Sequence, residues 1–295
     1  MIDAGQLRIG PVAYPVRTQE GVAVAYSDPA YQSFWRSAGS TGDALAVLPV
    51  NFVHGKQTIP AGHPVYAGGR NWAIWQDGKD MIFCSGFHEQ ACAQYFCRVD
   101  RALTAATVYA DPDRDTSATP LRYPLDQFLS WGLLGRCGGF ILHGAVAVKD
   151  GMGWVFTGRS GAGKSTISGL LHAAGWRILN DDRVIIYPRE GRLRVAGTPW
   201  HGSGRFAEDA EVDLAGICFI HKSTVNQVVS TTSGEAKMAM LDVAAIPWFE
   251  DDWSTPALHA LDYVAAQASF FHLHFTRSPV AAEVFESFAC GEVTR

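Results

Sequence analysis

Residues 156–166 read FTGRSGAGKST, and positions 158–165 fit the pattern G-x-x-x-x-G-K-[ST]. Glycines at 158, 161 and 163 permit a tight loop whose backbone N–H groups face inward, where phosphate oxygens can sit. Lys164 adds a mobile positive charge for the β- and γ-phosphates, and the Ser165 hydroxyl can ligate Mg2+. The expected nucleotide-contacting set is Gly158, Arg159, Ser160, Gly161, Ala162, Gly163, Lys164, Ser165 and Thr166. Two further signals flank it. Asn180-Asp181-Asp182 places two adjacent carboxylates after a short apolar run. Beside a phosphate site such a pair can divide two tasks: one holds Mg2+ directly or through water, and the other accepts a proton from an attacking hydroxyl. His143, in Leu142-His143-Gly144, interrupts an otherwise apolar run and can hydrogen-bond a catalytic carboxylate or a phosphate oxygen.

These side chains need rigid elements to hold them. FILHGAVAV (140–148) reads as a strand, KDGMG as a tight turn and GWVFTG (153–158) as a strand entering the glycine loop. The two strands should pair, which brings His143 beside the nucleotide. Residues 164–175 suit a helix ending near Gly175, whose N-terminal dipole end faces the loop. RILN (177–180), RVIIYP (183–188), LRVAG (193–197) and FFHLHF (270–275) read as further strands, and Ser278-Pro279 opens a last helix. PLDQFLSWGLLGR (124–136) has helical spacing of Leu125, Phe128 and Leu129.

Upstream, VAVAY (22–26), ALAVLPV (44–50), NWAIWQ (71–76) and DMIFC (80–84) are short apolar segments broken by Gly, Pro and Asp. Asp77-Gly78 suits a hairpin turn, and residues 88–103 suit a helix. The stretch DPDRDTSATP (111–120) has a linker's composition. The expected organisation is a β-rich domain over 1–115, a candidate acceptor-recognising part, and a mixed α/β phosphate-loop domain over 116–295.

Composition excludes some classes. The chain has 24 Lys+Arg against 29 Asp+Glu, a net charge of −5, and no basic stripe, which argues against a nucleic-acid partner. No run approaches the roughly 18 consecutive apolar residues of a membrane span. Six irregularly spaced cysteines suit free thiols in a reducing compartment, and MIDAGQLRIG lacks the profile of a secretory signal, so the expected location is the cytoplasm.

The stretch HGAVAVKDGMGWVFTGRSGAGKST…GWRILNDDRVII resembles the catalytic domain of the HPr kinase/phosphorylase family. His143 stands 21 positions before Lys164 and Asp182 18 positions after it, as in that family. The resemblance covers roughly residues 140–220. It implies an α/β phosphate-loop core shared with phosphoenolpyruvate carboxykinases, with ATP and Mg2+ as cofactors. It also implies that Asp182 is the general base toward a serine hydroxyl, that Asp181 and His143 support it, and that Lys164 holds phosphates. Ser165, Asp181 and Glu211 would serve the metal. Relatives in that family form hexamers, so a homo-oligomer is a further expectation. Two departures stand out: Thr166 replaces the Glu that usually follows the loop serine, and Asp213 stands where the later motif has arginine. HPr is therefore not the expected acceptor. The whole pattern, with Tyr123-Pro124-Leu125-Asp126-Gln127 and Gly197-Thr198-Pro199-Trp200, is similar to HPr-kinase-like proteins found with peptide-modifying gene clusters.

The leading expectation is a kinase acting on a hydroxyl of a peptide, protein or small molecule. Carboxykinase chemistry on oxaloacetate and a nucleotide-gated peptide-binding module are the alternatives. Gly197–Arg205 reads either as a substrate-facing loop, with Arg205 on a phosphate or acceptor group, or as a surface turn with Trp200 packed inside. His272 and His274, and likewise His88, Cys92 and Cys97, lack convincing metal-ligand spacing. Asp251-Asp252-Trp253 reads as a solvated loop.

Overall fold

A computed structural model describes residues 1–38, 42–69, 71–87, 92–114 and 118–291. The chain divides into two compact units: Met1–Arg136 with Pro247–Ser254, and Cys137–Ile246 with Thr255–Arg295.

The first unit carries, among the described residues, a 10-stranded sheet. Its strands alternate aromatic and β-branched residues between Gly- and Asp-rich turns. The hairpin Trp72–Asp77/Asp80–Ser85 turns through Gly78 at φ +59, as Asp77-Gly78 implies. The helix expected over 88–103 is not there: Tyr95–Asp100 is a strand between Asp80–Ser85 and Ala106–Ala110. Residues 88–91 lie outside the described residues. Burial of Tyr95, Phe96, Cys97 and Val99 between two neighbouring strands outweighs any local helical preference. VAVAY carries no strand.

The unit boundary also differs from the expected 115/116. Helix Leu125–Gly135 packs within the first unit, with Phe128 stacked on Phe83 at 5.6 Å and the Ser130 and Tyr14 hydroxyls 2.6 Å apart. A polar linker composition marks a loop, and contacts decide which core the following helix joins. Asp251-Asp252-Trp253 is likewise no solvated loop. The two acids open helix Asp251–Gln267, where they complement its dipole. Trp253 is buried, and its indole N–H donates to the Arg101 carbonyl at 3.0 Å.

The second unit is built, among the described residues, on an eight-stranded sheet. Phe140–Lys149 and Met152–Thr157 form a hairpin turning through Asp150 and Gly151, both at positive φ. From Met152–Thr157 the order runs through Phe140–Lys149, Arg183–Arg189, Arg192–Ala196, Glu211–Lys222, Phe270–Phe275 and Gln227–Ser230. Met152–Thr157 pairs again, in parallel, with Glu211–Lys222, so five strands close on themselves. Arg177–Asn180 pairs with Phe140–Lys149 off this path.

Side-chain alternation sends residues to two cores. Leu142, Val146, Val155, Ile217 and Leu261 join one; Phe156, Ile167, Leu171, Phe275 and Phe285 join the other. The second core lies under helix Lys164–Ala173, which follows the glycine loop, and helix Val280–Ala289. Phe285 is fully buried there and meets Trp154, Phe156 and Trp176. Phe285→Ala should therefore cost about 3–5 kcal/mol, read as a lower urea midpoint; a change below about 1 kcal/mol would show that the site relaxes around the lost ring. Among the described residues no helix is long and apolar enough to cross a membrane.

Candidate active site

The strand Met152–Thr157 ends at the glycine loop, and Thr157 ties that end to its neighbour by donating to the His143 carbonyl at 2.8 Å. Beyond it Arg159, Ser160 and Gly161 are exposed, and Ala162 N–H donates to the Arg159 carbonyl. Gly163 is required by both backbone and space: its φ is +115, and a Cβ there would stand 2.9 Å from the Phe275 ring. It is the N-cap of helix Lys164–Ala173 and has no side chain to cap it, so the first-turn N–H groups stay available to an anion.

Lys164 is 7% exposed, and its Nζ donates to the carbonyls of Gly158 at 2.8 Å and Arg159 at 3.3 Å. Burial lowers its pKa, against an opposing pull from the Asp182 charge. Ser165 is exposed, Thr166 is half-buried, and Arg159 pairs with Asp242 at 2.7 Å. Open backbone donors, a helix N-terminus and a tethered ammonium are the chemistry a polyphosphate needs.

The turn after Arg177–Asn180 brings in the carboxylates. Asn180 is fully buried; its Oδ1 accepts from the N–H groups of Asp182 at 2.7 Å and Arg183 at 2.8 Å, and its Nδ2 donates to the Thr198 carbonyl. That shapes the turn so that the two acids diverge. Asp182 faces His143, with Oδ1 2.8 Å from Nε2, and takes Arg183 Nη1 on Oδ2 at 2.6 Å. The strand register explains the meeting, since His143 lies opposite Arg183 and Gly144 N–H donates to the Asp182 carbonyl. Burial pushes the Asp182 carboxyl up, but the His143 hydrogen bond and the charges of Arg183 and Lys164 outweigh it and hold it below its ordinary 3.8.

Comparison with known proteins bears on the region that carries this turn and loop. Residues 131–258 match the family model of SynChlorMet cassette protein ScmC. That span is under half of the chain. The HPr(Ser) kinase/phosphatase from Coxiella burnetii is a structural match at 12% identity, over 52% of this chain and 97% of that one, with a TM-score of 0.32. No curated protein matches.

Asp182 lies within electrostatic reach of both Lys164 and His143, and the two carboxylates expected at the metal, Asp181 and Glu211, each have other partners. Asp181 is buried, and its oxygens accept from Gly202 N–H at 2.8 Å and Gly204 N–H at 2.6 Å. It anchors a loop through both oxygens. Glu211 lies opposite Ala196, which lies opposite Ile185, three residues beyond Asp182. The Glu211 carboxylate takes the Tyr187 hydroxyl and, at 3.3 Å, Arg189 Nη1. For Mg2+ the fit rests on the Ser165 hydroxyl, with the other positions left to phosphate oxygens and water.

Sequence reasoning missed Arg183, which follows the acid pair directly, and Asn180, which orients it. In the segment Gly197–Arg205, Trp200 is buried, as the surface-turn reading expects, and Ser203 Oγ donates to Ser165 Oγ at 3.1 Å. His272 and His274 acquire a neighbour in His221, whose Nε2 lies 2.8 Å from His272 Nδ1. Among the described residues no group of three His, Cys, Asp or Glu is placed to hold a metal ion.

Proposed function

We propose that this chain is an ATP- and Mg2+-dependent kinase that transfers the γ-phosphoryl group to a serine-like hydroxyl of a peptide, protein or small molecule. The observation that carries this reading is the Asp182 carboxylate, held between His143 and Arg183 and sensed by the Lys164 charge at the base of the glycine loop. The loop N–H groups and the first turn of helix Lys164–Ala173 bind the phosphates, and Lys164 releases its loop carbonyls to neutralise them. Mg2+ held at Ser165 supplies charge neutralisation on the transferring group. Asp182 orients the acceptor hydroxyl and takes its proton, while His143 and Arg183 fix the carboxylate's direction. In-line transfer requires positioning and electrostatics more than covalent chemistry, and these residues provide both.

The test is direct. The full chain, Mg2+ and γ-labelled ATP are incubated with a panel of serine-containing peptides, and label is followed in single turnover. Mg2+-dependent movement of label from ATP to a hydroxyl is expected. Tight nucleotide binding with all label left on ATP would instead make the chain a nucleotide-gated binding module.

A further inference from the structure

Asp181 directs both oxygens to the backbone of one short stretch, Gly202-Ser203-Gly204. The fit leaves no room at the two glycines. A Cβ on Gly202 would stand 2.9 Å from Asp181 Oδ2 and 3.3 Å from Asp182 Cβ, and one on Gly204 would stand 2.6 Å from Asp181 Oδ2. Within this stretch a side chain is carried only at Ser203, which is exposed. Its hydroxyl donates to Ser165 Oγ. The buried Asn180 braces the same segment through the Thr198 carbonyl, and Phe206 packs edge-on to His172 of the helix that follows the glycine loop. A serine hydroxyl is therefore tethered beside the phosphate-loop hydroxyl, on a backbone that packs against Asp182.

We propose that Ser203 is a phosphoryl acceptor within this chain, presented by Asp181 as a positioning residue. The inference rests on the kinase reading above. In the step, Ser203 Oγ bonds to the γ-phosphorus of ATP as the bond from that phosphorus to the β–γ bridging oxygen breaks. The bonding pair leaves with ADP, and the hydroxyl proton passes to the Asp182 carboxylate and then to water. Tethering makes the reaction unimolecular, so this hydroxyl outcompetes any free acceptor at ordinary concentrations. The phosphate formed brings about −1.5 to −2 charges beside the acid pair and the phosphate loop. It repels the phosphates of the next nucleotide, which makes the modification self-limiting.

The full chain is incubated with Mg2+ and γ-labelled ATP across a range of protein concentrations, with and without the serine-peptide panel, and the modified residue is mapped by mass spectrometry. Label on the peptide that contains Ser203 is expected, approaching one phosphate per chain at a rate independent of protein concentration. Ser203→Ala should remove at least about tenfold of the chain-borne label, and Ser203→Thr should restore it, the range being that of a lost, then regained, oriented acceptor. The phosphorylated chain, isolated and probed with the same Mg2+-ATP, should show a smaller thermal shift than the unmodified one. Label on added peptides, or elsewhere on the chain, with Ser203 unmodified overturns the acceptor assignment and leaves the kinase reading standing. A rate that rises in proportion to protein concentration overturns the tethered arrangement. Label that stays on ATP in every arm overturns the kinase reading and this inference with it.

Discussion

Asp182→Asn should lower phosphoryl transfer by about 10²–10⁴-fold, the range of an oriented general base, while ATP binding is retained or tightened. The opposite signs follow from one charge. The carboxylate proposed to take the acceptor's proton also lies close enough to Lys164 to oppose the lowering of its pKa by burial. Removing that negative charge eases the approach of polyanionic phosphates even as it removes the proton acceptor. Asparagine keeps the shape and a carbonyl for Arg183, so the fold should survive. Asp182 is held below 3.8, which makes it a weak base, and a loose transition state tolerates this because the hydroxyl needs orientation more than early deprotonation. The pH sign is fixed as well. A depressed carboxyl stabilises the fold fully above its unfolded value and loses that contribution as pH falls through the lower folded one. The variant's stability deficit should therefore be present at neutral pH and close below 3.8. Single-turnover rates beside ATP titrations decide the matter: a variant that transfers at the wild-type rate removes Asp182 from the role of base.

The glycine loop between its strand and its helix was legible because its signals are local. Three glycines, Lys164 and Ser165 fall within eight residues, and the strand before and the helix after carry their own periodicities. The hairpin that sets His143 beside the loop was legible for the same reason, since Asp150-Gly151 prescribes the pairing. What needed the fold was everything settled by distant backbone. Asp181 and Asp182 are indistinguishable as sequence, and only Asn180 and the returning segment with Gly202 and Gly204 decide which one is consumed by backbone N–H groups. Glu211 was assigned by motif, and the fold pairs its carboxylate with Tyr187 and Arg189. Tyr95–Asp100 and Trp253 were misread because packing from remote strands and helices overrides local composition.

The acid pair thus separates two jobs that adjacent carboxylates in a motif leave merged. One oxygen pair organises the segment facing the loop, and the other meets His143 and Arg183. This division predicts different kinetics for substitutions at neighbouring positions. On the proposed mechanism, loss of Asp182 should act on the proton and the acceptor hydroxyl. Loss of Asp181 acts through the position of Gly202-Ser203-Gly204 and leaves the charge beside Lys164 in place.

Lys164→Met should abolish the stabilisation that ATP confers and lower transfer by about 10²–10³-fold, as expected for one lost electrostatic donor to a transferring group, without weakening the unliganded protein. Methionine retains the stem that packs at a position only 7% exposed. The ammonium it removes is a buried charge that desolvation already disfavours, as its lowered pKa shows, and its hydrogen bonds are to two carbonyls of half-open loop residues that water can reach. The apo melting temperature should therefore stay level or rise. With Mg2+-ATP at a hundred times its dissociation constant, the wild type should gain about 2.7 kcal/mol by mass action, and the variant close to none. Paired thermal melts with and without nucleotide read both signs at once. A wild-type ATP shift in the variant would mean that the backbone cradle holds the phosphates without Lys164. An apo variant destabilised by several kcal/mol would make Lys164 a structural tie across Gly158 and Arg159, because only that role requires the ammonium when no phosphate is bound.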